Sequence, residues 1–255
     1  MKLSLNQSVA SAYRSKSQIA RVMTETWVAD NMFCPRCGHL RIKLFESNRP
    51  VADFYCPNCS AEYELKSKNG TIQQKVVDGA YETMINRIMS DDNPDFFFMN
   101  YSAKLSKVID FVIVPKHFFV PGIIEKRKAL SDNARRAGWV GCNILLGKIP
   151  YQGRIPVVKN GIAQDSASVI EKMNKAKKLE DSDIESRGWI FDILNCVNQV
   201  ESMEFSLSEV YAFESVLSQM HPQNHNVKAK IRQQLQFLRD KNIIEFLGNG
   251  MYRKL

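Results

Sequence analysis

No stretch of this 255-residue chain approaches the roughly 18 consecutive apolar residues that a membrane helix needs. The amino-terminal run Met1-Lys2-Leu3-Ser4-Leu5-Asn6 is too polar for the apolar region of a secretory signal, so a cytosolic location is expected. There is no sustained heptad and no internal repeat, which removes coiled coils and solenoids and leaves nothing that requires a dimer or a protein partner, so a monomer is expected. Hydrophobic residues make up 44% and charged residues 24%, which excludes disordered and collagen-like chains. What the composition does have is an excess of Lys and Arg, 35 against 27 for Asp and Glu, a net charge of +8. That surplus fits a polyanionic partner without specifying one.

Six cysteines in a reducing compartment are poor disulfide candidates, so metal binding is their first use to consider. Four fall as Cys34-Pro35-Arg36-Cys37 and Cys56-Pro57-Asn58-Cys59, two C-x-x-C pairs separated by 18 residues. Two residues between thiolates let a tight turn aim both sulfurs at one ion, and a second turn of the same kind completes a tetrahedral zinc shell. Four cysteine ligands leave no open position, so such a zinc is structural. His39 is read as a turn residue, and the solitary Cys142 and Cys196 as buried, inert thiols.

The length fits one large and one small domain. Ser17 to about Asp30 shows a one-sided helical pattern (Ile19, Val22, Met23, Trp27) with Ser17 as its cap. Strand-like runs follow at Ala52–Cys56 and Ser60–Lys68, a second helix over Thr71–Ser90, then strands at Phe96–Tyr101, Val108–Val114, Val140–Leu146 and Arg154–Val158. The order predicts an α/β (α+β) mixed sheet between helices. The polar stretch from Glu171 to Ser186 reads as a helix end and linker, placing the boundary near 184, with domains at 1–183 and 184–255.

The last 70 residues predict three helices and a hairpin, the outline of a winged helix-turn-helix. The first helix covers Trp189–Val200, and Ser206 with Glu209 forms a capping box that starts the second. Asn226 caps a third whose inner stripe is Val227, Ile231, Leu235 and Leu238, and Gly248-Asn249-Gly250 turns the hairpin. Charge is uneven: net −4 from Ser186 to His225 and net +5 from Asn226 to Leu255. Lys228, Arg232, Gln236 and Arg239 share a stripe of the third helix, with Gln233 beside it and Arg253 on the hairpin. This mix of phosphate-anchoring and base-reading groups points to DNA rather than to a merely solvated face.

Asp53 ends one short strand, and Glu64-Leu65-Lys66 lies on the next, where alternation puts Glu64 and Lys66 on one face. Metal-dependent phosphodiester hydrolysis uses this set: Asp53, Glu64 and the main-chain carbonyl of Leu65 hold Mg2+, and the Lys66 ammonium stabilises charge or orients water. By itself the spacing also fits an amphipathic strand with a solvated charged face.

The run Asn48-Arg49-Pro50-Val51-Ala52-Asp53-Phe54-Tyr55-Cys56, followed by Glu64-Leu65-Lys66-Ser67-Lys68, resembles the PD-(D/E)xK core of the DpnI-type methyl-directed (type IIM) restriction endonucleases. The resemblance continues through Arg135-Arg136-Ala137-Gly138-Trp139, Ser186-Arg187-Gly188-Trp189 and Lys230-Ile231-Arg232-Gln233-Gln234-Leu235 to Tyr252-Arg253-Lys254-Leu255, and takes in both cysteine pairs. Pro50 departs from the broad superfamily pattern by standing three residues before Asp53. The resemblance implies a zinc-bearing nuclease domain ahead of a winged helix, both reading G-m6A-T-C in double-stranded DNA before Mg2+-dependent double-strand cleavage. It also implies that Asp53 and Glu64 are the metal carboxylates and Lys66 the catalytic lysine.

A methyl reader needs an apolar wall beside a hydrogen-bond acceptor, because the adenine N6 methyl projects into the major groove while one N6 proton remains. Trp139, preceded by Arg135 and Arg136, suits a DNA-facing loop and equally a place in the core, whereas Trp27 and Trp189 on helical apolar stripes are read as core. Two other classes stay open on residues alone: a non-catalytic zinc-ribbon and winged-helix regulator, and a repair-type nuclease of the same core.

Overall fold

The computed structural model describes residues 1–46, 52–72, 74–90, 92–180 and 183–255. By internal contacts it divides into two compact units, one of Met1–Gly147 with Tyr151–Lys177 and one of Lys148–Pro150 with Lys178–Leu255. Asn48 to Val51, the start of the run that carries the family resemblance, and Pro50 with them, lie outside the described residues.

The first unit opens on helix α1 (Lys16–Asn31), then β1 (Lys43–Leu44), β2 (Phe54–Tyr55), β3 (Glu62–Asn69) and β4 (Val76–Ala80) lead to α2 (Tyr81–Met89). Next come β5 (Asp95–Ser102), β6 (Lys107–Val114), β7 (Ile124–Lys126), β8 (Gly141–Ile144), β9 (Ile155–Lys159), β10 (Ile162–Ala163) and α3 (Ser166–Lys177). Among the described residues β1-β2-β3-β5-β6-β9-β10 form a mixed sheet, parallel only between β3 and β5, and β4-β8-β7 form a small antiparallel one.

β5 sits at the centre because its near-continuous apolar run Phe96-Phe97-Phe98-Met99 can be buried on both faces. On one face Phe97 stacks on Tyr63 at 4.7 Å and meets Phe111 at 5.1 Å, and Trp27 of α1 packs edge-on against Phe111 at 5.5 Å. On the other, Phe96 packs against Phe119 at 4.4 Å. Trp27 is core as expected, and its indole N–H donates to the Lys2 carbonyl at 2.8 Å.

Two sequence expectations fail in this unit. Thr71–Ser90 is not one helix: Val76 to Ala80 are extended and pair with β8, and the helix begins only at Tyr81. Two β-branched valines and Gly79 are poor helix formers, and they supply a strand edge where the periodicity was ambiguous. Helix α1 starts at Lys16, with Ser15 and not Ser17 at the N-cap position; Ser15 makes no side-chain bond to the helix backbone.

The second unit holds α4 (Ile184–Gln199), β11 (Glu204–Ser206), α5 (Leu207–Tyr211), α6 (Glu214–Met220), α7 (Val227–Asp240), β12 (Ile244–Gly248) and β13 (Met251–Lys254). Its core takes in Trp189, Ile193 and Leu194 of α4 with Ile231, Leu235 and Leu238 of α7. The expected capping box is formed: Glu209 N–H donates to Ser206 Oγ at 3.2 Å and Ser206 N–H to Glu209 Oε2 at 2.7 Å. The helix it starts breaks at Ala212-Phe213, so the expected three helices are four. The hairpin gains β11 as a third strand in the order β11-β13-β12. Asn226 occupies the N-cap position of α7, but its side chain makes no capping bond.

Candidate active site and metal centre

Asp53 lies just before β2, where Phe54 pairs with Tyr63 and Tyr55 with Glu62. The Asp53 N–H donates to the Tyr63 carbonyl at 2.9 Å, and its carboxylate Oδ2 accepts the Leu65 N–H at 2.7 Å. Because the N–H and C=O of one strand residue point the same way in the sheet plane, the Leu65 carbonyl also faces this edge.

Glu64 and Lys66 share the face of β3 opposite the Tyr63 and Leu65 side chains. Lys66 Nζ lies 2.5 Å from Glu64 Oε1 and also contacts Asp78 of β4, and Phe96 lies beneath the ammonium, 6.0 Å from Nζ to its centroid. Arg87 of α2 approaches Glu64 Oε2 at 3.3 Å. Burial pushes the Asp53 and Glu64 carboxyls up, against the pull of the Leu65 N–H on Asp53 and of Lys66 on both. For Lys66 burial acts downward, but Glu64 and Asp78 outweigh it and raise the ammonium. Glu25 on α1 is also raised, chiefly by burial, with the Asp53 charge adding to it.

The donor set suits a hard divalent cation. It offers two carboxylates and an edge-facing carbonyl, all oxygen, and Asp53 Oδ1 accepts no hydrogen bond among the described residues. Two half-buried carboxyls held up by desolvation gain most from a nearby positive ion.

The four cysteines meet as their spacing predicts. Their sulfurs all lie within 4.8 Å of one another, with Cys34–Cys59 and Cys37–Cys56 both at 3.6 Å. A tetrahedral shell with Zn–S bonds of about 2.3 Å has sulfurs about 3.8 Å apart, so the cluster can hold zinc. Tyr63 Oη lies 3.1 Å from Cys34 Sγ, Asn58 N–H donates to Cys56 Sγ at 3.4 Å and Asn58 Nδ2 to Cys37 Sγ at 3.5 Å, which are partners of the kind that fix thiolate ligands. His39 stays outside the cluster and uses its carbonyl to accept the Cys34 N–H at 2.8 Å. Cys142 and Cys196 are buried as expected, and burial pushes their thiols up to about 11 and about 12.

The knuckle is tied to the sheet by a pair that sequence reasoning missed. Arg36 donates from Nε and Nη2 to the fully buried Asp95 at 2.5 and 2.7 Å. Since Tyr63 of β3 pairs with Asp95 of β5, cysteine turn, ion pair and the strand that carries Glu64 and Lys66 form one block.

A family model described as the DpnI, Dam-replacing family matches residues 1–182, and another described as a Dam-replacing HTH domain matches residues 185–254. The chain belongs to the Dam-replacing family. Membership supports a DpnI-type methyl-directed restriction enzyme with a helix-turn-helix DNA-binding domain, and the mixed-sheet core, cysteine cluster and helical carboxy-terminal unit fit it. No helix among the described residues is long and apolar enough to cross a membrane.

In the HTH unit of this family member, Lys228, Arg232, Gln233, Gln236 and Arg239 are all exposed on α7, opposite its buried stripe. Arg232 donates to the Tyr211 hydroxyl at 2.6 Å and Lys228 pairs with Glu214 at 3.3 Å, so neighbouring helices pre-set both cations. Arg253 is held between Glu204 at 2.7 Å and Glu245 at 3.2 Å across the three-stranded sheet.

In the first unit Arg135 and Arg136 are exposed near the tip of a loop running from β7 to β8. The loop is closed by Leu130 N–H to the Trp139 carbonyl at 2.9 Å and Gly138 N–H to the Leu130 carbonyl at 3.0 Å. The Arg136 guanidinium stacks on the half-buried Trp139, 4.4 Å from its ring centroid. A Cβ at Gly141 would come within 2.8 Å of the same ring, so only glycine lets Trp139 lie there. Sequence reasoning also missed Asp78 and Arg87, because the segment that carries Asp78 was read as helix.

Proposed function

We propose that this protein is a methyl-directed type II restriction endonuclease of the PD-(D/E)xK kind, making Mg2+-dependent double-strand breaks in adenine-methylated DNA at G-m6A-T-C. The observation that carries the reading is the Leu65 N–H bond to Asp53 beside the Glu64–Lys66 contact, where the paired strands β2 and β3 meet, inside a Dam-replacing family chain. Residues 1–183 would be the nuclease and 184–255 the winged-helix reader, acting as a cytoplasmic monomer on double-stranded DNA.

Asp53, Glu64 and the Leu65 carbonyl would hold Mg2+, which when bound supplies Lewis-acid activation of water and charge neutralisation at the phosphate. Lys66 stays protonated, because two carboxylates face its ammonium, and offers positive charge to the anionic phosphorane as water attacks the phosphorus in line. The attacking water gives its proton to solvent while the ester P–O bond opposite breaks and its oxygen leaves to be protonated by solvent. The four cysteines would hold a structural zinc. With Cys56 and Cys59 lying between Asp53 and Glu64 in the chain, that zinc preorganises the turn which brings the carboxylates together.

DNA binding, by phosphate anchoring and base reading together, falls to Lys228, Arg232, Gln233, Gln236, Arg239 and Arg253 in the HTH unit, and to Arg135, Arg136 and Trp139 in the nuclease. Trp139 presents an aromatic wall for the N6 methyl, and its Ala variant is expected to lose discrimination between methylated and unmethylated sites.

The deciding experiment is one plasmid prepared with and without adenine methylation, incubated with protein and Mg2+. Discrete fragments from the methylated sample alone support the reading. Cutting of both samples indicates a repair-type nuclease, and cutting of neither, with DNA still bound, indicates a regulator.

A further inference from the structure

Asp78 has no part in the proposed metal set, yet its side chain is only 6% exposed and its carboxylate contacts Lys66 Nζ directly. It arrives from outside the catalytic sheet. β4 belongs to the small sheet with β8 and β7, and Asp78 pairs with Cys142, with a bulge at Gly79 before Ala80 pairs with Gly141. A bulge inserts an unpaired residue and re-aims the strand locally. Here it adjoins the one carboxylate that β4 gives to the lysine.

The same small sheet carries the loop that holds Trp139. Tyr81 N–H donates to the Val140 carbonyl at 3.1 Å, Arg127 N–H donates to the Gly141 carbonyl at 2.9 Å, and the Trp139 ring lies against Gly141. From Trp139 to the Lys66 ammonium the connection is therefore short: Gly141 and Cys142 of β8, Asp78 of β4, Lys66. Other charged groups around Lys66 are Glu64 on its own strand, Asp53 at the strand edge, and Arg87, which holds Glu64 from α2. None of these joins the lysine to the small sheet.

We propose that Asp78 is a positioning residue that fixes the Lys66 ammonium from the small sheet and so ties the Trp139 loop to the catalytic lysine. The inference rests on the nuclease reading and adds to it a route by which contact at the loop reaches the reacting group. A lysine held on two sides, by Glu64 and Asp78, has one place to put its charge; with Glu64 alone the four-carbon stem can swing with the Glu64 side chain. Residues that orient a catalytic group from behind cost about 10–100-fold when removed.

The test uses the full-length protein, Asp78→Asn and Asp78→Glu variants, and adenine-methylated plasmid with Mg2+. Asp78→Asn is expected to lower kcat by about 10–100-fold while KM and the Kd for the same DNA stay at parent values, and Asp78→Glu to recover part of the rate. A second readout needs no cleavage: acylation of Lys66 by an N-hydroxysuccinimide ester, followed by mass spectrometry, with the exposed Lys104 as internal reference. Lys66 is expected to be protected in the parent and in Asp78→Glu, and to become reactive in Asp78→Asn. Parent-like kcat, a rate loss matched by weaker DNA binding, or unchanged Lys66 labelling in Asp78→Asn each overturns the proposal. If the parent protein cuts no DNA, the nuclease reading falls, and the labelling still decides whether Asp78 positions Lys66.

Discussion

Replacing Arg36 by Met tests whether the cysteine knuckle is anchored by charge. Asp95 is fully buried and accepts three hydrogen bonds, from Arg36 Nε and Nη2 and from the Lys116 N–H at 2.8 Å. Arg36→Met keeps the apolar stem but leaves a buried carboxylate with one backbone donor. Removing one partner of a buried pair costs about 3–5 kcal/mol, because the remaining charge is stranded. In a unit of this size each kcal/mol moves the midpoint by about 2–4 °C, so the transition of the first unit should fall by about 6–20 °C. Differential scanning calorimetry of the full chain reads this directly, with zinc content measured in parallel so that metal loss is scored separately. The double variant Arg36→Met/Asp95→Leu removes the stranded charge and should regain much of the loss. A fall smaller than about 2 °C in the single variant, or a double variant no more stable than the single, would refute the reasoning.

Three further outcomes are expected. Glu64→Gln should lower the rate of cutting methylated plasmid by about 10²–10³-fold with DNA binding retained, and parent-like cutting would remove Glu64 from the metal set. A zinc-selective chelator, followed by fresh Mg2+, should lower both the melting point of the first unit and the cleavage rate, whereas an unchanged rate would show that the cysteine cluster does not preorganise the carboxylates. Glu209 is held below its ordinary value of 4.5 by the Ser206 N–H and hydroxyl. A depressed carboxyl stabilises the fold above its unfolded value and loses that contribution as pH falls through the folded one. Acid titration of the second unit, followed by circular dichroism, should therefore show an acid-side loss that Glu209→Gln lacks.

The elements that were legible in the sequence are those whose signal is local. Two C-x-x-C pairs state a metal shell because geometry confines the sulfurs, and the capping box at Ser206 states a helix start because both partners lie within one turn. The apolar run of β5 and the buried stripe of α7 were legible for the same reason: burial on two faces or on one imposes its own period. Ser17 failed as a cap although its residue type was right, since which serine starts a helix depends on where the preceding chain enters, whereas Asn226 does take the N-cap position of α7 but without a side-chain bond.

Asp78 shows what pattern reading cannot reach. Within Val76–Ala80 alternation is too short to outvote a helical pattern, and the partner that makes the segment a strand, β8, lies more than sixty residues further on. A separation of 59 residues likewise parts Arg36 from Asp95 and hides a buried ion pair whose members look like ordinary surface charges. In both cases the sequence places the groups that do the proposed chemistry, while long-range pairing supplies the groups that hold them. Lys66 illustrates the division: Glu64, two residues away, was readable as its neighbour, whereas the carboxylate on its other side comes from a different sheet. Point changes in that second set should therefore alter rate and stability without touching the motif by which the site was found.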